Sequence, residues 1–173
     1  MKKLTALFLA LVMALTLTTA FAAEGPSPVT EGEQRLTDEN GVVIILTPAD
    51  NYDGLKPLDP TAEAPARMLP AAVQALISEQ VKCDLDDLKI DEMLDIQVLN
   101  YKEEYGDVSV NAQFTANYTA DDNLAILLNI GGEWSAFANS VNEDGTVKLT
   151  LTPAQALAIQ NGAPSMVAVL SDK

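Results

Sequence analysis

Between Asp107 and Tyr118 the chain alternates without a break. Val108, Val110, Ala112, Phe114, Ala116 and Tyr118 fall on one parity, and Ser109, Asn111, Gln113, Thr115 and Asn117 on the other. Side chains of an extended strand point alternately to opposite faces, so this segment fits a strand with one face in a core and one in solvent. Short apolar runs with turn residues between them surround it: MLDIQVLNY (93–101), NLAILLNI (123–130), EWSAFANSV (133–141), TVKLTLT (146–152) and SMVAVLS (165–171). Gly131-Gly132 and Asp144-Gly145 supply the reversals of an antiparallel meander. The link KEEYG (102–106) predicts a hairpin between 93–101 and 107–118.

Before this region, Asn40-Gly41 opens the run GVVIILT (41–47), which predicts a strand with a short partner around Glu33 to Leu36. Five prolines between Pro48 and Pro70 then rule out a regular ladder or helix across that connection. Leu69, Val73, Leu76, Ile77 and Val81 follow at helical steps and predict an amphipathic helix over 70–81. Thr152-Pro153-Ala154-Gln155 has the form of a capping box, and Asn161-Gly162 a stop, which predicts a short helix over 153–160. The expected fold is mainly β (α+β): an antiparallel β-sandwich, immunoglobulin-like in strand spacing, with these two helices. The alternative is a single curved antiparallel sheet packed on the 70–81 helix.

The first 23 residues read as a secretory signal peptide: two lysines, an apolar run, then Ala20-Phe21-Ala22. Residues 24–33, EGPSPVTEGE, bury too little to order themselves and read as a flexible leader. One globular domain over 34–173 is expected. The protein is thus expected to be exported by a bacterium and extracellular, with any hold on the envelope noncovalent and no transmembrane segment after signal removal.

Without the signal, 8 basic residues face 25 acidic ones, a net of −17. That charge repels nucleic-acid backbones, and the bases are scattered rather than clustered, so nucleic acid is excluded as a partner. A single cysteine, Cys83, leaves the fold without an internal disulfide. The chain has no histidine, which removes Ser-His-Asp and Cys-His catalysis and histidine-based zinc sites. No catalytic residues, cofactor or metal are expected. Calcium is the one ion that the oxygen-rich composition leaves open, but neither DLDDLKIDEMLD nor DNYDG has the required spacing.

Carboxylate pairs remain, at Asp86/Asp87, Asp91/Glu92, Glu103/Glu104 and Asp121/Asp122. They make a small glycan-acting enzyme the alternative to a noncatalytic role. The principal candidate site is the polar parity of the long alternating segment: Ser109, Asn111, Gln113 and Thr115, a neutral ladder on an acidic protein, extended by Thr146, Lys148 and Thr150 if those strands lie alongside. Trp134, Tyr101 and Tyr105 are the candidate exposed aromatics that sugar recognition favours. The expected function is an exported noncatalytic binding module recognising cell-wall polysaccharide or a partner protein; an acidic structural or inhibitory protein docking a basic partner is a further alternative. Oligomeric state is not legible.

Overall fold

In the computed structural model, residues 32–49, 58–59, 61–137 and 140–173 are described; the signal peptide and most of the leader lie outside them, as does part of the proline-rich connection. Among the described residues nine strands form two antiparallel sheets. The strands are β1 (Gln34–Thr37), β2 (Val43–Pro48), β3 (Lys89–Leu99), β4 (Val108–Ala112), β5 (Leu124–Ile130), β6 (Glu133–Ala136), β7 (Ser140–Val141), β8 (Val147–Leu151) and β9 (Ser165–Ser171). The large sheet has the order β1-β2-β3-β9-β5-β6 and the small one β4-β8-β7. Two α-helices accompany them, α1 (Ala71–Gln80) and α2 (Pro153–Gln160). The protein is therefore mainly β, an α+β antiparallel sandwich, partitioned six and three rather than the four and three of an immunoglobulin constant-type domain.

Two apolar layers hold the sheets. One fills the space between them: Ile44, Leu46, Leu94, Ile96, Ile126, Leu128, Val167 and Val169 from the large sheet meet Val108, Val110, Val147, Leu149 and Leu151 from the small one, with Ala156 and Ile159 of α2 closing an edge. The other lies on the opposite face of the large sheet, where Val73 and Ile77 of α1 cover Ala125, Leu127, Ala168 and Leu170. A helix laid across a sheet, the alternative architecture, is thus one layer of the sandwich. Strands β5 and β9 are buried on both faces and stand in the sheet interior. This is why LAILLNI and SMVAVLS are nearly continuous apolar runs instead of alternating ones.

Local chemistry explains the element ends. Thr152 caps α2, its hydroxyl accepting from the Gln155 N–H at 3.4 Å while Gln155 Oε1 accepts from the Thr152 N–H at 2.9 Å. Gly131 and Gly132, at φ of 61° and 93°, make the two-residue turn between the paired Ile130 and Glu133, a backbone region that side chains with a Cβ rarely enter.

The hairpin expected across KEEYG does not form: β3 pairs with β2 and β9, and β4 pairs with β8 in the other sheet. The link is a crossover between sheets. Asn100 and Gly106, both at positive φ, bend the chain at its two ends, with a 3-10 turn over Glu103–Tyr105 between. Regular pairing of the 107–118 segment also stops at Ala112, although Phe114 and Tyr118 keep their inward parity and stay buried. EWSAFANSV likewise divides into β6 and β7, in different sheets.

A bulge in β3 helps keep 115–118 in place. Ile90 pairs with Leu170 and Glu92 with Val169, so Asp91 is the extra residue. In a regular strand Asp91 and Glu92 would point to opposite faces. Here both reach the segment after β4: Asp91 Oδ2 accepts from the Tyr118 hydroxyl at 2.6 Å and the Ser171 hydroxyl at 2.5 Å, and Glu92 accepts from the Thr115 N–H and hydroxyl, each at 3.1 Å.

Candidate binding face

The outward face of the small sheet is set by register. Val108, Val110 and Ala112 of β4 and Val147, Leu149 and Leu151 of β8 point into the core, so Ser109, Asn111, Lys148 and Thr150 point out. Ser109 lies opposite Thr150 and Asn111 opposite Lys148, while Ser140 of β7 lies opposite Lys148 on its other side. The conditional extension through Thr146, Lys148 and Thr150 is therefore present in space.

The face is hydrogen-bonded within itself. The Ser109 and Thr150 hydroxyls are 2.9 Å apart. Asn142 Nδ2 donates to Asn111 Oδ1 at 3.2 Å and to Thr146 Oγ1 at 2.9 Å, and the Thr146 hydroxyl donates to Asp144 at 2.6 Å. The Thr146 hydroxyl and N–H hold the Asp144 carboxyl below the usual carboxylate range. Among the described residues the Lys148 ammonium makes no hydrogen bond or ion pair, whereas Arg35, Arg67, Lys102 and Lys173 are each paired with an acid.

At the Ser109 end the face runs into a cavity of about 290 Å³ lined by Asp38, Glu39, Asp107, Ser109 and Lys148. It sits where the edges of the two sheets part. At the far end of that seam the edges are tied, because Gln34 uses its side-chain amide as a strand would: Oε1 accepts from the Gln113 N–H at 3.0 Å and Nε2 donates to the Gln113 carbonyl.

The remaining candidates lie elsewhere. Gln113 follows the last residue of β4 with its backbone engaged by Gln34, and Thr115 is pinned to Glu92. Tyr101, expected to be exposed, is 4% exposed and part of the inter-sheet core, its hydroxyl donating to the Gly106 carbonyl at 3.1 Å. The crossover turns this ring inward, where a hairpin tip would have left it in solvent. Tyr105 is half-buried against the same core, with the Lys102 ammonium 5.5 Å from its ring centre. Trp134 is half-buried on the α1 side of the large sheet, so both sheets separate it from the ladder.

The acidic pairs are mostly engaged in structure. Asp91 and Glu92 hold the 115–118 segment, Asp86 pairs with Arg67 at 2.6 Å, and Asp122 with Lys173 at 2.8 Å. Among the described residues no three carboxylate or thiol groups converge as a metal site requires, and no helix is long and apolar enough to cross a membrane.

Sequence reasoning missed Ser140 and Asn142, which flank the inward-leaning Val141, and Asp38, Glu39 and Asp107 around the cavity. The Ser-Val-Asn alternation was a signal for the first two; the seam that gathers the acids follows from the β1–β4 approach and has no local signature. Comparison with known protein families, curated proteins and solved structures finds no match, so the site is read from its geometry alone.

Proposed function

We propose that the protein is an exported, noncatalytic binding module of a bacterial surface whose outer small-sheet face engages a hydroxyl-rich cell-wall polysaccharide. The observation that carries this reading is the register that gathers Ser109, Asn111, Ser140, Asn142, Thr146 and Thr150 around Lys148. Amides and hydroxyls both donate and accept, as sugar hydroxyls do, and the two-sheet core behind them fixes their spacing. A face without an aromatic platform binds weakly. Four hydrogen bonds at about 1 kcal/mol each correspond to a Kd near 1 mM, so retention on a polymer depends on many sites being offered at once.

The test is substitution on the face. The N111A/T150V double variant should fold as the parent does by circular dichroism and lose binding to insoluble cell-wall polysaccharide by about tenfold. Undiminished binding by that variant would remove the face as the site.

A further inference from the structure

The cavity at the Ser109 end has a charge pattern that a neutral sugar does not use. Its wall carries one ammonium, Lys148, and three carboxylates, Asp38, Glu39 and Asp107. Asp38 is partly committed to its own turn, Oδ1 accepting from the Asn40 and Val42 N–H groups at 2.9 and 2.8 Å. Among the described residues the Glu39 and Asp107 carboxylates accept no hydrogen bond, and the Lys148 ammonium pairs with none of the three acids that line the same cavity. These are charged groups held near one another but not neutralised by one another.

A simple cation entering here meets Lys148. A simple anion meets three carboxylates and the field of a chain with a formal charge of −15. A ligand bearing both signs a few ångströms apart satisfies the two sets together and carries no net charge against that field. A cavity of about 290 Å³ is at the lower end of the range for small-molecule sites, enough for one or two amino-acid residues.

We propose that this cavity binds a zwitterion of the amino-acid or short-peptide type, its ammonium between Glu39 and Asp107 and its carboxylate on Lys148, with Ser109 hydrogen-bonding the connecting atoms. The site goes beyond the polysaccharide reading and stands or falls separately from it.

The experiment is a backbone-amide NMR titration of the whole exported chain with three probes: alanyl-alanine, its N-acetylated form, which keeps only the negative charge, and its C-terminal amide, which keeps only the positive one. Saturable shifts at Glu39, Asp107, Ser109 and Lys148 are expected with alanyl-alanine, with at least tenfold weaker binding of both modified probes. K148Q should lower affinity for alanyl-alanine to that of the amide. The absence of a saturable shift at these four residues, or equal binding of all three probes, would overturn the proposal. Soluble wall oligosaccharide added to the same sample reports on the other reading through Ser140, Asn142 and Thr146, so failure of one site is distinguishable from failure of the other.

Discussion

The side chain of Gln160 hydrogen-bonds both backbone groups of Tyr101: Oε1 accepts from the N–H at 2.6 Å, and Nε2 donates to the carbonyl at 3.0 Å. Tyr101 is where the chain leaves the large sheet for the small one, and Gln160 is the last residue of α2. One amide therefore replaces the ladder partner that the crossover takes away, and it ties the small helix to the seam. Gln34 does the same for Gln113 on the adjoining edge.

Removing that amide should be costly, because two backbone groups at a mostly buried position would lose their partners. Q160A is expected to lower stability by about 2 kcal/mol, measured by urea denaturation at unchanged slope. A loss below about 0.5 kcal/mol would show that water takes over both bonds.

The bulge at Asp91 should behave as one unit with Tyr118. Y118F is expected to cost about 1–2 kcal/mol and D91A about 2–3 kcal/mol, since the latter also leaves the proton of the buried Ser171 hydroxyl without its acceptor. In a double-mutant cycle the pair should couple by about 1 kcal/mol or more. Strict additivity would mean that the 2.6 Å contact contributes nothing to stability.

The same contact sets an alkaline limit. Burial, then the hydrogen bond to Asp91, raises the Tyr118 phenol far above its ordinary range. A phenol with a raised folded pKa contributes stability that is complete below its unfolded value of about 10 and is lost as pH rises from there toward the folded value. Chemical denaturation from pH 8 upward should show the parent losing stability above about pH 10 more steeply than Y118F. Parallel curves would contradict the assignment.

Trp134 distinguishes the two faces. Packed on the α1 side, it should act through stability: W134A is expected to cost about 2 kcal/mol, less than a fully buried aromatic, and to bind polysaccharide as the parent does under conditions where both are folded. Loss of binding at full folding would move the site to the opposite face of the large sheet.

How much of this was legible depends on how local the cause was. Thr152, Pro153 and Gln155 act within one turn, and so α2 is readable to the residue; Asn40-Gly41 similarly announces β2. The ladder of Ser109 and Asn111 follows from period two alone. Where β4 goes does not, because β3 and β4 are adjacent in sequence and the choice between hairpin and crossover is made by remote partners, β9 at one side and β8 at the other. Alternation through Phe114 and Tyr118 outlasts the strand because Glu92 holds Thr115 and Asp91 holds Tyr118 in place of a ladder, and a bulge whose Glu92 lies 23 residues upstream of Thr115 leaves no mark in the alternating segment itself. Tyr101 is buried for the same reason: a turn and a crossover have similar sequences and opposite exposures.

The most direct test of the polysaccharide reading is co-sedimentation of residues 24–173 with insoluble cell-wall material at low and at high salt. Contact through neutral hydroxyls and amides predicts pelleting that persists at high salt and is lost in N111A/T150V. A protein that stays in the supernatant at both salt concentrations, or pellets only at low salt, would contradict it, the second outcome pointing to a basic partner held by the acidic surface.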